Sequence, residues 1–218
     1  MVKLARYSIG VRLGFNIERP EVPERLRDVK LGVWASLEKI KSVGGVKYRE
    51  LRGDVGSPYP RSNVVDDVAF ITVNAAFNSP KYSPLSPSEF RRIVIELTFN
   101  SVPRRIDIDS LPSVMIPGYH GILVTRPNGS TEAYLPQKTV DIALKFINEK
   151  GRPPSVHELI SIICGAGCID VKIFETQIFY ELEPGGDVVE REPYLNMALR
   201  GINRKIIEAD QGSRPHSV

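Results

Sequence analysis

The stretch "RIVIELTF", Arg92–Phe99, decides the fold class. Ile93, Ile95, Leu97 and Phe99 fall on one side of an extended chain, and Val94, Glu96 and Thr98 on the other. The period is two, which reads as a strand with one apolar face. Upstream, "LGVWASLE" (Leu31–Glu38) alternates in the same way and predicts a strand ending near Glu38. "KSVGGVKYRE" (Lys41–Glu50) continues with a Gly44-Gly45 turn and a second strand entered through Val46 and Tyr48. Downstream, "GILVTRPNGSTEAYLP" (Gly121–Pro136) reads as a hairpin, with Asn128-Gly129 supplying the positive φ angles of its turn. "RRIDIDSLPSVMIPG" before it reads as a short edge strand and a loop. "VKIFETQIFYELE" (Val171–Glu183) is a long strand with Phe174, Ile178, Tyr180 and Leu182 on one side.

Helices lie between these strands. The first dozen residues place Leu4, Tyr7 and Val11 on one helical face. Residues 18–30, charged and broken by proline, form a connector. Ser62 or Asn63 caps a helix with Asp66 and Asp67 in its first turn and Val64, Val65, Val68, Ile71 and Ala75 at apolar positions. Ser86-Pro87-Ser88-Glu89 is a capping box opening a short helix, and Ser155 to Glu158 is a second one opening a helix through Ile163. Residues 138–150 space Val140, Ala143, Leu144 and Ile147 helically and stop at Gly151. A last helix is expected from Met197 to Ile207, and a disordered tail over 208–218. Strands and helices mix without β-α-β alternation. The fold class is therefore α+β, with mainly antiparallel sheets flanked by helices in two domains. The proline cluster at 80–87 and the "YLPQ" after the hairpin mark the seams.

Composition excludes several classes. The 218 residues are 42% hydrophobic and 25% charged, and suffice for a packed core. A net charge of +3 is too mild to indicate nucleic acid by itself. No apolar run approaches the roughly 20 residues of a membrane span, and "MVKLARYSIGVRLGF" lacks the features of a signal peptide. The only two cysteines, Cys164 and Cys168, do not make a disulfide framework, so a cytoplasmic location is the default expectation.

The candidate chemistry gathers at "ELRGDVGSPYPRSN" (Glu50–Asn63), read as a loop at the end of the second strand and just before a helix. Gly53 and Gly56 would let backbone approach a ligand, the helix start favours an anion, and Arg52 and Arg61 add charge-assisted donors. Asp54 fits that anion only if protonated, paired with arginine or binding a metal. The competing reading is a tight turn with Asp54 bonding its own backbone. No Gly-Lys-Ser/Thr follows, so this is not a P-loop. His120, between a tyrosine and a glycine, is a candidate acid/base. His157, Cys164 and Cys168 share helical spacing, but three ligands are short of a structural zinc site, and no metal is assigned. No Gly-x-Ser-x-Gly is present.

Taken together, "LGVWASLE … ELRGDVGSP" resembles the paired strand and "LRGCIG" signature of the AMMECR family, named after a human chromosomal region linked to midface hypoplasia and elliptocytosis. "VNAAFNSPKYSPLSPSEFRRIVIELTFNSVPRRI" resembles its next segment, "GYHGILV … YLPQ" its His-Gly and Leu-Pro-Gln stretches, and "VKIFETQIFYE" with "REPYL" its close. The resemblance spans roughly residues 4–195 and is to stand-alone members of archaeal type. It implies a larger domain from both chain ends (1–83 and 137–200) and a smaller β-rich middle domain (84–136). The signature loop would line a cleft between them. Arg52, Gly53, Gly56, His120, Gly121, Pro136 and Gln137 match the family's pattern. Asp54 stands where the family has cysteine, and Gly165-Ala166-Gly167 where it often has Lys-Ala-Gly. A carboxylate does not replace a thiolate nucleophile. Two readings remain. One is an enzyme of unknown reaction, linked to nucleic-acid or small-molecule modification, with Asp54 and His120 as catalytic residues and Arg52, Gly53, Gly56, Arg61, Gly121, Pro136 and Gln137 holding the ligand. The other is a non-catalytic binding or scaffold protein for a nucleic acid or partner protein. The family's company also implies a link to Memo-type and radical-SAM proteins. No cofactor is implied, no membrane partner is expected, and a homodimer is compatible with the sequence.

Overall fold

The computed structural model describes residues 1–165 and 167–191. The helix expected over 197–207, the closing "REPYL" beyond Arg191 and the tail lie outside them. In chain order the elements are α1 (Val2–Arg12), β1 (Gly32–Val43), β2 (Val46–Ser57), α2 (Val64–Phe77), α3 (Pro87–Phe90), β3 (Ile93–Asn100), β4 (Arg104–Arg105), α4 (Leu111–Val114), β5 (His120–Thr125), β6 (Thr131–Tyr134), α5 (Pro136–Lys150), α6 (Val156–Cys164), β7 (Asp170–Glu181) and β8 (Val188–Glu190). A short 3₁₀ turn, Glu24–Asp28, interrupts the connector. The strand pairings β1–β2, β1–β3, β4–β7, β5–β6, β5–β7 and β7–β8 are antiparallel, so the protein is α+β as its alternation predicts.

The chain forms two compact units. Unit 1 comprises Met1–Val102 and Gln177–Arg191, and the described part of unit 2 is Pro103–Thr176. The seams thus fall at 102/103 and, inside β7, at 176/177. The proline-rich breaks expected as seams each lie within one unit. The first is tied to β2 by Arg52, and the second is the N-terminus of α5, where proline at the first helical position starts the helix.

In unit 1, β1 lies between β2 and β3. The apolar faces of these strands (Val33, Ala35, Leu37, Ile93, Ile95, Leu97, Phe99) pack with α1 and α2 residues such as Ile9, Val68 and Ile71. The helix α1 buries Val2, Leu4, Ala5, Ile9 and Gly10, and leaves Val11 50% exposed. Its core face is therefore rotated from the Leu4-Tyr7-Val11 line. Gly10 lies on that face against Ile17, whose Cδ1 would be 2.2 Å from a Cβ there. Asn63 caps α2, accepting from the Val65 and Asp66 amides. Unit 2 has its own core, in which Leu159, Ile160 and Ile163 of α6 join Ile122, Val124, Val171 and Ile173. In the β5–β6 turn only Gly129 has a positive φ, +81°; Asn128 does not, contrary to expectation.

Candidate functional site

The signature stretch is a strand, not a loop. Arg52 to Ser57 lie in β2, and Gly53 to Ser57 pair with β1; Leu37 opposes Gly53 and Glu38 opposes Leu51, which leaves Arg52 without an opposite residue. Arg52 is thus the extra residue of a β-bulge, which bends the strand and re-aims its side chain. Gly53 faces α2, and a Cβ there would come within 2.4 Å of the Ala75 carbonyl oxygen. Its glycine serves the contact between strand and helix. Arg52 is buried, 8% exposed. Its Nε and Nη2 donate to Glu89 Oε1 and Oε2 at 2.9 and 3.0 Å, and Nη1 donates to the Ser83 carbonyl at 3.0 Å. Lys39 Nζ adds a 2.6 Å bond to Glu89. The Arg52 guanidinium holds the Glu89 carboxyl far below its ordinary range, against the opposing effect of burial. Glu89 also closes the capping box of α3, so one carboxylate joins the bulge to that helix. The arginine expected to hold an anionic ligand is engaged inside the fold.

Past the bulge, Asp54 and Gly56 belong to the opposite face of the sheet. Asp54 pairs in register with Ser36, and Ser36 with Glu96; Gly56 pairs with Trp34, and Trp34 with Thr98. Directly paired residues share a face with Cβ atoms about 5 Å apart. This polar face therefore carries a row Asp54-Ser36-Glu96 beside a row Gly56-Trp34-Thr98. The indole lies against Gly56, where a Cβ would meet the ring at 2.2 Å, and its Nε1 donates to Asn100 Oδ1 at 2.9 Å. Burial falls off toward the sheet edge. Glu96 and Thr98 on β3 are each 2% exposed, whereas the Asp54 side chain is 38% exposed. Asp54 Oδ2 lies 3.6 Å from Lys81 Nζ, and Oδ1 is buried with no hydrogen-bond partner. Asp54 does not bond its own backbone, so the turn reading fails along with the loop.

The remaining candidates belong to other segments of the chain. In unit 1 the Arg61 amide donates to Asp67 Oδ2, and its guanidinium lies 3.7 Å from the Phe70 ring centroid. In unit 2, His120 opens β5 and is 7% exposed. Its Nδ1 accepts from the Ile116 amide at 3.0 Å, and the ring meets Tyr119 edge-on. Burial lowers its pKa, with Arg104 adding to the shift and Glu175 opposing it. A neutral imidazole holding a backbone amide fills a structural place. Gly121 lies under Phe174, 2.1 Å from where its Cβ would be. Pro136 and Gln137 form the buried first turn of α5. The cysteines, read from sequence as unpaired, are joined as Cys164–Cys168, which removes both thiols from any ligand set with His157. Sequence reasoning also missed Trp34, Ser36 and Glu89 as neighbours of the signature. The alternation of "LGVWASLE" carried the first two, because it sets Trp34 and Ser36 on the polar side of their strand.

Against known proteins, the AMMECR1 family profile matches residues 2–166, and the chain belongs to that family. A Methanopyrus kandleri protein is 31% identical over 88% of this chain and 92% of its own length. A Thermofilum pendens protein matches at the same identity and coverage. The crystal structure of an uncharacterized Pyrococcus horikoshii protein superposes with a TM-score of 0.62 at 23% identity, covering 87% of this chain and 94% of that one, and shares the fold. Among the described residues no helix is long and apolar enough to cross a membrane.

Proposed function

We propose that this protein binds a small polar ligand, without transforming it, on the polar face of the unit 1 sheet at Asp54, Ser36 and Trp34. The observation that carries this reading is Asp54 itself, half-exposed at the sheet margin with one carboxylate oxygen buried and unpartnered. An unsatisfied buried acceptor costs about 1–3 kcal/mol. A turn of the carboxylate toward a hydroxyl, amide or amine of a ligand recovers that energy. The groups catalysis would need are committed elsewhere: Arg52 to Glu89 and His120 to a backbone amide. The thiolate nucleophile available where the family has cysteine is absent at Asp54.

The test is a metabolite-pool screen read by thermal shift on the wild type and Asp54→Asn. Trp34 is the chain's single tryptophan, so its emission reports on the neighbouring row. A ligand at one hundred times its dissociation constant stabilises the fold by about 2.7 kcal/mol. The expected result is a ligand that stabilises the wild type, shifts Trp34 emission, loses at least tenfold in affinity in Asp54→Asn and is recovered chemically unchanged. Undiminished binding by the variant, or a ligand returned altered, overturns the reading; the second outcome restores the enzyme.

A further inference from the structure

We infer that Cys164–Cys168 is a reversible thiol–disulfide exchange site, reduced by a protein dithiol that attacks Cys168 first. The inference is independent of the ligand-binding reading. The bond closes a five-residue ring between the last residue of α6 and the approach to β7. The two sulfurs are unequally placed. Cys164 is 7% exposed and packs in the unit 2 core, whereas Cys168 is half-buried at its border. Exposed apolar side chains flank the ring on both sides: Ile162 is 46% exposed and Ile169 65%. An attacking thiolate needs access to sulfur, and Cys168 offers more of it, next to apolar surface on which a partner can rest.

The anchors of the ring do not depend on the bond. Arg126 Nη1 and Nη2 donate to the Cys164 and Ile163 carbonyls, each at 3.0 Å, closing the C-terminus of α6. The Ile169 amide donates to the Thr125 carbonyl at 2.8 Å, which holds the start of β7. Gly165 and Gly167 have φ of +49° and +127°, so the ring uses glycine where other residues resist closure. With both ends held by other contacts, the bond can open while α6 and β7 stay in place. In the step itself the partner thiolate forms a bond to Cys168 Sγ, the Cys164–Cys168 bond breaks, and the electron pair leaves on Cys164 Sγ, which takes a proton. The partner's second thiolate then attacks its own sulfur in the mixed disulfide. Cys168 leaves as a thiol and the partner is oxidised to its disulfide. Two electrons have moved from partner to ring, and the two protons of the new thiols come from the solvent, which received them when the partner's thiols ionised. The Arg126 guanidinium at the helix end offsets the negative carbonyl terminus that would otherwise disfavour a departing Cys164 thiolate.

The experiment uses the full chain and a thioredoxin-class protein whose resolving cysteine is replaced by serine, so that the mixed disulfide is trapped. Peptide mapping locates the adduct, thiol alkylation counts free sulfurs, and circular dichroism follows the fold. The expected result is no alkylation of the air-oxidised protein, an adduct on Cys168, and two alkylated thiols after intact dithiol treatment with the helix signal retained. Cys164→Ser is expected to form a mixed disulfide with oxidised glutathione at least tenfold faster than Cys168→Ser. Free thiols in the air-oxidised protein, an adduct on Cys164, or reduction only after unfolding each overturn the inference. The trapping arm uses the wild-type chain and so stands whether or not the serine variants fold.

Discussion

Arg52 makes the case at the scale of a residue. Its type and position marked it as important in the sequence, and the nearby glycines and helix start suggested an anion as its partner. Its partner is Glu89, 37 positions away, at 2.9 Å. No local spacing reveals that contact, because a bulge of one residue on β2 creates it. Removing one member of a buried pair leaves the other uncompensated. Arg52→Ala is therefore expected to destabilise the protein by about 3 kcal/mol, read from the shift in the urea midpoint at constant m value. Arg52→Lys is expected to recover less than half of that loss, because an ammonium cannot reproduce the forked contact with the carboxylate. Wild-type stability in both variants would identify Arg52 as a ligand group instead. Gly53→Ala sets a methyl 2.4 Å from a backbone oxygen that has no freedom to retreat. Its expected cost is also about 3 kcal/mol, at the upper end for overpacking, measured in the same way.

Elements were the most legible scale. The capping boxes at Ser86 and Ser155 and the αL stop at Gly151 are local devices whose chemistry lies within a few residues, and all three stand as read. The short edge strand read at the start of "RRIDIDSLPSVMIPG" stands as β4, whereas β8 and α4 have too few residues to show a period. The hairpin β5–β6 was legible too, but not the network at its base. Glu132 accepts from Lys138 Nζ and the Tyr134 hydroxyl, and Arg126 reaches the same Tyr134. Lys138 first, then Tyr134, hold the Glu132 carboxyl down at about 2 from an ordinary 4.5. A carboxyl lowered in the folded state stabilises fully above its unfolded value, and that contribution is lost as pH falls through the folded one. Stability is thus expected to decline between about pH 4.5 and 2, and Glu132→Gln to flatten that decline in urea midpoints measured along a pH series. An unchanged slope in the variant would show that Glu132 is not coupled to folding.

At the scale of the molecule, unit 1 is built from two distant parts of the chain. Arg6 on α1 donates through Nε and Nη2 to both oxygens of Glu181, and the Ile95 amide donates to the same carboxylate. Glu181 is 2% exposed, so it binds the first helix, a central strand and the returning strand at one buried point. Glu181→Gln is expected to cost about 3 kcal/mol by leaving the arginine charge unmatched. Native-state hydrogen exchange is expected to show faster opening of α1 and β3 together; loss confined to the end of β7 would contradict the three-way tie. The sequence held the antiparallel α+β class in its alternation, but not the seams, because proline clusters mark breaks in local structure while compact units follow long-range packing. Trp34 and Gly56 carry the longest-lived consequence. The indole occupies the space of a side chain on the paired strand, so neither position can drift alone. Among descendants of this fold, a lineage that acquires any side chain at 56 is expected to have surrendered the large aromatic at 34 first, leaving the two sites linked in ancestry as they are in space.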